Sequence, residues 1–403
     1  MMIDRRAGRR SPRRLLAVVC VTALACLAAA CGAPDQSGAG DDSGPFVLYA
    51  SLGMSGASSS FSPGIRAGMA AAVDTINDGG GLLGRPVELQ VENNESDPTK
   101  AVSLLQGRIR TDPPEVVWAG ATSSETLALL SLTTRQKVIA LNNGSAPEVG
   151  DATTFPYSFS AGVTSQSIAD YLAQHLAGKG YKTVGVLTAS DAFGEGVREL
   201  YANSLEAAGI TVVSESYEPD VVEMDGPLAR IGSKRPDAVV FSDFVHPTYI
   251  LKSRIKVGMG DIPFVGDLST TANDMYGTLT DEERRGVTLA TYKIQASAAG
   301  DRPGAQALMA SLEESGAQIT SGLYLYGLAY DTVLAYANAV TAVGSTDVDE
   351  VRAAMEAGQG DTYPLAMTDE IGWTEQTHLG SGEDQYAVVP VSPMVAGRFQ
   401  ADR

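Results

Sequence analysis

The stretch GMSGASSSFSPG, residues 53–64, concentrates serines and glycines between an apolar run and a segment with helical spacing. A serine nucleophile elbow needs the pattern G-x-S-x-G, in which the second glycine stands two residues after the serine. Here Gly56 follows Ser55 directly, so the elbow is absent. The chain has 3 histidines, and a serine hydrolase would need one of them as its base. Because they fall in separate segments of the chain, we expect no serine triad and no enzyme.

Phosphate and metal chemistry are disfavoured as well. The stretch GGGLLGRP, residues 79–86, has the glycine spacing of a phosphate loop, but Arg85 and Pro86 replace the required Lys and Ser/Thr. It also follows a helix-like segment and precedes a β-rich run, the reverse of the order that a phosphate loop requires. The sequence contains no H-E-x-x-H motif and no cysteine pair of the kind that holds zinc. We therefore expect neither a metal nor a cofactor.

Polar and aromatic side chains instead follow successive β-rich runs, at the places where open α/β sheets bind ligands. Hydroxyls and backbone N–H groups at helix starts suit an anionic group such as a carboxylate. Carboxylates suit an ammonium group, and aromatic rings enclose apolar or cationic parts of a ligand. A zwitterion would fit both sets, although Ser123 or Asp191 taken singly could serve only as a helix cap. The candidate ligand-binding residues are Ser55, Phe61, Thr122, Ser123, Asn143 and Ser145 in the first half, and Asp191, Phe193, Asp243, Phe244 and Asp267 in the second.

The elements that must position these residues alternate along the chain, with helix-like segments between short β-rich runs. In the first helix-like segment Ser62 can cap the helix and Pro63 suits its first turn. Strands that alternate with helices predict right-handed crossover units and parallel sheets covered on both faces. The predicted fold class is therefore α/β, with two Rossmann-like lobes joined by crossover segments. The β-rich runs cover residues 46–51, 87–92, 115–120, 137–142, 183–188, 211–216, 237–242 and 262–266.

An aromatic and hydroxyl-rich link at 154–165 separates two blocks of these strands. A further run at 286–291 and a long helix-like segment at 322–343 follow the second block, which predicts that the chain crosses back. We expect the first lobe to hold residues 46–160 and 286–360, and the second lobe to hold 161–285 and 361–403. The tail has short β-like pieces near 370–373, 385–389 and 395–399. Because the 322–343 segment contains Asp331 and Asn338, we expect a packed helix and not a membrane span.

The N-terminus has the pattern of an export signal covering residues 1–30, in which arginines precede the apolar run Leu15–Ala30. A flexible polar tether is predicted at 31–45. The sequence LAAAC, residues 27–31, resembles a bacterial lipobox, which implies lipidation of Cys31. Simple secretion and lipidation of Cys26 are the alternatives, and Arg13 with Arg14 leaves twin-arginine and ordinary export both open. All 3 cysteines lie in or at the end of this signal, so the exported part has no thiol for a disulfide.

The formal net charge of the chain is −19, although its signal segment is rich in arginine. An exported part of this acidity would be repelled by nucleic acid and by anionic lipid head groups. We therefore expect no nucleic-acid partner. Attachment to a membrane would depend on the lipid chains at Cys31 and not on surface charge.

Five segments of the sequence, taken in order along the chain, resemble a known family of proteins. They are LYASLGMSGASSSFSPGIRAGMAAAVDTINDGGGLLGRPVELQVENNESDPTKAV, VVWAGATSSETLAL, VIALNNGSAPE, VGVLTASDAFGEGVRELYANSLEAAGITVV and RPDAVVFSDF. In order and spacing they resemble the branched-chain amino-acid binding family, the type I solute-binding proteins of ABC importers. The resemblance covers almost all of the exported chain and is weakest in its C-terminal third. It implies a Venus-flytrap fold, in which two lobes close on a small ligand.

The resemblance also implies roles for the candidate residues of the first lobe. Phe61 stands where the family has an aromatic residue that lines the pocket. Ser123 and Thr122 fall in the loop that holds the ligand carboxylate. Asn143 and Ser145 match the second ligand-binding segment of this lobe.

In the second lobe Phe193 stands at a position that is usually tyrosine, Phe244 matches another aromatic residue, and Asp267 matches the acid near the ligand amine. Phenylalanine at these two positions removes hydroxyl donors, and Asp243 adds a charge beside the site. These departures disfavour a plain leucine-type ligand. A polar or cationic amino acid, an amide or another small polar solute remains open.

Together these features predict a monomeric receptor that is lipid-anchored to the outer face of a bacterial cell membrane. It would bind an amino acid or similar small polar solute between its lobes and dock on an ABC permease. The alternative is a ligand-sensing module that passes occupancy to a signalling partner. Genomic neighbours would discriminate between the two, since an importer needs permease and ATPase genes.

Overall fold

The strands of the computed structural model pair into two main sheets. The structure describes residues 44–218, 221–244, 246–296, 302–358, 360–380 and 385–400. The predicted export signal, most of the predicted tether and Cys31 lie outside the described residues. Both main sheets are dominated by parallel pairs and flanked by helices, which confirms the predicted α/β fold with two Rossmann-like lobes.

The first lobe is built on the sheet β2-β1-β3-β4-β5, in which every pair is parallel. All seven residues of β1 are buried, as expected for a strand covered by helices on both faces. Strand β5 lies within the link that we expected between the two blocks, so this sheet contains a strand that was not predicted. The elements are β1 (Phe46–Leu52), α1 (Ser62–Asp78), β2 (Val87–Asn93), α2 (Pro98–Thr111), β3 (Val116–Ala119), α3 (Ser123–Gln136), β4 (Ile139–Asn142) and β5 (Ser158–Ser160).

The second lobe is built on the sheet β11-β10-β9-β8-β6-β7, which is parallel except for the edge strand β11, which pairs antiparallel with β10. A crossover helix follows each of the strands β6, β7 and β8 and brings the chain back, so that the next strand runs parallel to the one before. These helices cover the sheet. The elements are α4 (Ser165–Gly178), β6 (Thr183–Ala189), α5 (Ala192–Ala207), β7 (Thr211–Tyr217), α6 (Asp225–Ser233), β8 (Ala238–Ser242), α7 (Pro247–Lys256), β9 (Phe264–Gly266), α8 (Asp281–Arg284), β10 (Val287–Tyr292) and β11 (Tyr386–Pro390).

Strand β10 differs from our expectation. We expected residues 286–360 to belong to the first lobe, but β10 pairs with β9 on one side and with β11 on the other. Its buried residues therefore complete the second sheet, and the chain crosses back only after this strand.

Three helices then follow, α9 (Pro303–Glu314), α10 (Leu323–Val343) and α11 (Val348–Glu356). Helix α10 is buried along most of its length and packs against α1 of the first lobe. The two helices approach so closely that a β-carbon on Gly68 would lie 2.2 Å from the Tyr326 carbonyl oxygen. None of the described helices is both long enough and apolar enough to span a membrane.

Before the tail returns to the second sheet, it runs beside residues 160–162, where the chain passes from the first sheet to the second. Trp373 donates its indole N–H to the carbonyl of Ser160 at 2.8 Å, and the N–H of Gly380 donates to the carbonyl of Gly162 at 3.0 Å. The β-like piece predicted near 370–373 is not a strand, because Trp373 is held by its side chain and its ring contact with Phe159, not by a strand ladder. The other two pieces are strands, namely β11 and the hairpin of β12 (Met394–Val395) and β13 (Arg398–Phe399).

Candidate functional site

The loop after β1 is joined to the loop after β2 by serine and asparagine side chains. The hydroxyl of Ser58 is fully buried and lies 2.8 Å from the hydroxyl of Ser96. Asn93 donates its side-chain amide to the hydroxyl of Ser55 at 3.0 Å. These bonds hold the serine-rich loop against the carboxyl end of the first sheet. Ser55 is exposed there. Ser96 was not among the residues predicted from the sequence, because no candidate was taken from the loop after the second β-rich run.

Phe61, and not Ser62, is the N-cap residue of helix α1, with no side-chain cap. The predicted role of Ser62 as a cap is therefore wrong, since this residue already belongs to the first turn. Pro63 occupies that first turn as expected. The Phe61 ring is half-buried against the core, and the buried Ser62 hydroxyl has no hydrogen-bond partner among the described residues.

We call the loops that follow strands β1 to β4 the first-lobe edge. Glu125 is a buried acid at this edge, with an exposure of 1%. Its Oε2 accepts hydrogen bonds from the Asn94 side chain at 2.8 Å and from the Ala121 N–H at 3.2 Å. Its Oε1 accepts from the hydroxyls of Ser58 at 3.2 Å and Thr122 at 3.3 Å. Glu125 was not selected from the sequence, because an acid in a first helical turn is common as a dipole partner. In the structure Glu125 connects the loops that follow β1, β2 and β3 through its hydrogen bonds.

The loops after β3 and β4 are tied together by the residues that we expected to bind ligand. Thr122 caps helix α3 by accepting the N–H of Glu125. The hydroxyl of Ser123 accepts the N–H groups of Ser145 and Ala146, both at 3.3 Å. Ser123 therefore fixes the position of the second predicted segment of the site.

Asn143, in the loop after β4, contacts the loop after β3. Its side-chain amide donates to the carbonyl of Ala121 at 3.4 Å. Its Oδ1 is a buried acceptor with no partner among the described residues. An unpaired buried acceptor of this kind costs free energy until a donor reaches it.

In the second lobe the predicted aromatic residues lie together. The ring centroids of Phe193 and Phe244 are 5.0 Å apart and their planes are tilted by 47°. The two side chains are 38% and 44% exposed, respectively. Asp191 stands just before Phe193 and caps helix α5 by accepting the N–H of Gly194 at 2.7 Å.

The other two predicted acids of this lobe are buried and internally bonded. Asp243 accepts hydrogen bonds from the hydroxyl of Tyr217 and from the His246 N–H at 2.9 Å, and its Oδ2 is 3.1 Å from the ring Nδ1 of His246. Burial and the neighbouring Asp243 raise the pKa of Tyr217 well above its ordinary value.

Asp267 accepts from the Tyr201 hydroxyl at 2.9 Å and from the Ser269 N–H at 3.0 Å. Desolvation by burial raises the pKa of Asp267 above its ordinary value, although these hydrogen bonds work in the opposite direction. The charged form of its carboxylate is therefore stabilised by hydrogen bonds from the protein's own groups.

The start of α10 joins the two lobes near these edges. The N–H of Gly322 donates to the carbonyl of Ala272 at 2.8 Å, in the segment that follows Asp267. The hydroxyl of Ser321 lies 2.8 Å from the place where a β-carbon on Gly64 would stand, in the first turn of α1. The residues that lead into α10 thus contact both the segment after β9 and helix α1, which follows the serine-rich loop.

A separate groove of about 600 Å³ lies beside α1 and β2. Its walls include Arg66, Val73, Asp74 and Leu89, and none of the predicted ligand-binding residues. It is therefore distinct from the polar and aromatic residues at the carboxyl ends of the strands.

Two lobes of parallel sheet, joined by crossovers and carrying polar and aromatic side chains at their strand ends, define a bilobed ligand-binding protein. Residues 50–393 match the model of the family described as periplasmic binding protein, and the chain belongs to this family. Its members are extracytoplasmic, non-enzymatic ligand-binding proteins, in agreement with the expectation that the chain is not an enzyme.

Known proteins and solved structures agree with this assignment. The Leu/Ile/Val-binding protein BraC3 of Rhizobium johnstonii is 26% identical over 187 residues, which are 45% of this chain and 50% of that relative, so the match spans half the length of the relative. The type 1 periplasmic binding protein of Bordetella pertussis superposes with a TM-score of 0.72 at 18% identity, covering 86% of this chain and 96% of that one. LivJ of Streptococcus pneumoniae, solved with isoleucine, gives 0.68 at 18% identity, with coverages of 88% and 97%. At 18% identity these two structural similarities establish the fold.

Proposed function

We propose that this protein is the solute-binding component of an ABC importer and that it binds an amino acid or similar small polar solute between its two lobes. The observation that carries the proposal is the Phe193–Phe244 pair. The chain has 9 phenylalanines, and these two are exposed side by side at the carboxyl edge of the second sheet while the others are buried or half-buried. Exposed rings grouped beside polar side chains are typical of a binding surface.

The relatives support an amino-acid-like ligand. One curated relative is a Leu/Ile/Val-binding protein, and one structural neighbour was solved with isoleucine. In the proposed cycle, ligand contacts the residues of both lobes in the closed state and those of only one lobe in the open state. Ligand binding therefore favours closure through this difference in contacts, and the closed form docks on the permease.

The site residues of this proposal come from both lobes. Several of them already have structural partners, for example Thr122 and Asp191, which cap helices, and Ser123, which joins two loops. A role in binding would be added to these contacts. The proposed ligand-binding residues are Ser55, Phe61, Thr122, Ser123, Asn143, Ser145, Asp191, Phe193, Asp243, Phe244 and Asp267.

A thermal-shift screen of amino acids, amides and polyamines, followed by calorimetry on the hits, tests the binding function. At least one class is expected to raise the melting temperature and to bind with one site per chain. A folded protein that binds none of these solutes would contradict the proposal. Co-purification with a permease, against a signalling kinase, separates the importer from the sensory alternative.

We further propose that the mature protein is anchored to the outer face of the cell membrane by lipids on Cys31. The support is the lipobox-like LAAAC and the polar residues that follow it at once. Cys31→Ser is expected to move the protein from the membrane fraction to the soluble fraction, and Cys26→Ser serves as the matched control. Membrane attachment of Cys31→Ser would rule out this anchor.

A further inference from the structure

The donors at the first-lobe edge are already occupied by an acid of the chain itself. Glu125 receives the Ala121 N–H, the Asn94 amide and the hydroxyls of Ser58 and Thr122, at distances of 3.2, 2.8, 3.2 and 3.3 Å. An ionised carboxylate has only acceptor positions, so these four donors match its requirements. Thr122, which the resemblance assigns to the ligand carboxylate, is therefore engaged by Glu125.

A second carboxylate at this edge would meet two obstacles. Four donors that would stabilise its charge are engaged with Glu125. The N–H groups of Ser145 and Ala146 are engaged with the Ser123 hydroxyl, which keeps only its own O–H to offer. The negative charge of Glu125 would also act at short range, since its side chain is 1% exposed and poorly screened by water. Both effects weaken binding of an anion.

One buried atom in the loop after β4 is left without a partner, and it is an acceptor. The Oδ1 of Asn143 is buried and has no hydrogen-bond partner among the described residues, whereas the amide nitrogen of the same side chain is directed to the carbonyl of Ala121. That carbonyl belongs to the residue whose N–H is bound by Glu125. A donor on the ligand, placed next to Glu125, would satisfy Oδ1.

We propose that the solute presents a neutral or cationic hydrogen-bond donor, such as a carboxamide or an ammonium group, to the first-lobe edge, and that Glu125 is the residue that selects against carboxylates. This inference rests on the proposed solute-binding function and narrows its ligand class to amides and amines. Glu125 is a specificity-determining residue in this scheme, while the Phe193–Phe244 pair holds the apolar part of the solute.

Matched ligand pairs test the inference on the wild-type protein. Calorimetry at pH 7 compares L-phenylalanine with L-phenylalaninamide, and L-leucine with L-leucinamide, which differ in the replacement of the carboxylate by a carboxamide. We expect the amide of at least one pair to bind at least ten times more tightly than its acid. Acids that bind as tightly as their amides, or more tightly, in both pairs overturn the inference but leave the proposed function standing. Failure of every solute in the wider screen would instead overturn the proposed function.

A variant of the selecting residue provides the second arm. Glu125→Gln keeps the size of the side chain and removes its charge, and we expect it to reduce the preference for the amide at least tenfold by improving binding of the acid. Glu95→Gln is the matched control, because Glu95 carries the same charge in the neighbouring loop but is 58% exposed and paired with Lys100. An unchanged preference in folded Glu125→Gln, verified by circular dichroism, would remove Glu125 as the determinant.

Discussion

The hydroxyl of Tyr201 in helix α5 donates a hydrogen bond of 2.9 Å to Asp267 at the end of strand β9, and both side chains are buried. The bond links a helix to the carboxyl edge of the sheet that the helix covers. Because the burial of Asp267 raises its pKa, each donor that supports its charged form contributes to the stability of the edge.

We predict that Tyr201→Phe lowers the free energy of unfolding by about 1–3 kcal/mol, the usual cost of leaving a buried polar group without its partner. Urea denaturation followed by circular dichroism measures the change. Tyr249→Phe is the control, since Tyr249 is 39% exposed and the loss of its hydroxyl should matter little. Equal stability of Tyr201→Phe and wild type would show that the bond to Asp267 is dispensable.

The exposed rings of the second lobe predict a loss of affinity without a loss of stability. Phe193→Ala and Phe244→Ala should each weaken the best ligand by about 1–3 kcal/mol, because each removes an aromatic contact from the proposed cleft. Both variants should unfold close to the wild-type midpoint, as the rings are only partly buried. Leu83→Ala, with an equal exposure of 44% in a turn before β2, is the control for surface apolar loss. Unaltered affinity in both phenylalanine variants would place the cleft elsewhere.

Ser123 should matter for the ligand through the loop that it holds. In Ser123→Ala the N–H groups of Ser145 and Ala146 lose their common acceptor, so the segment after β4 is no longer fixed. We expect ligand affinity to fall by about 1–3 kcal/mol, as measured by calorimetry. Ser124→Ala, at the exposed neighbouring position, should bind as wild type does. The opposite order of effects would refute the assigned role of Ser123.

Asp331 predicts a pH dependence of stability. It lies buried in α10 and accepts the N–H groups of Ala366 at 2.6 Å and Met367 at 2.8 Å. Burial raises its pKa from the ordinary value of 3.8 to about 7. The folded state therefore holds the proton more tightly than the unfolded state, so the contribution is complete below pH 3.8 and is lost as the pH rises through about 7.

The unfolding free energy of wild type, relative to Asp331→Asn, should thus fall by up to about 4 kcal/mol between pH 4 and pH 7.5. Urea titrations at several pH values measure this difference. Asp361→Asn, at an exposed position, should show no such trend. A difference that is constant over this range would contradict a raised pKa for Asp331.

The fold was largely accessible from the sequence because the alternation of β-rich and helical segments determines layers and strand direction. Sheet membership was harder to predict. The run at 286–291 has the same pattern as any other buried strand, and its place beside β9 depends on contacts between distant parts of the chain. Strand β5 was missed because it is only three residues long and lies in a hydroxyl-rich link.

The predicted site residues all lie in the loops and first helical turns that follow strands of the two sheets, as expected from the rule on carboxyl ends. Their individual partners were not predictable. A serine that caps, such as Ser62 was expected to be, and a serine that accepts from a neighbouring loop, such as Ser123, look alike in one sequence. Glu125 was overlooked because its burial depends on Asn94 and Ser58, which come from two other loops.

The packing of α1 against α10 has a consequence for the order in which the protein can fold. Synthesis delivers α1 early, but the helix that covers it ends at Val343, and Trp373 and Gly380, which fasten the crossover, come later still. A nascent chain that emerges N-terminus first therefore carries the α10-facing surface of α1 without its partner for most of its synthesis. Completion of the first lobe has to wait until nearly the whole chain has left the ribosome.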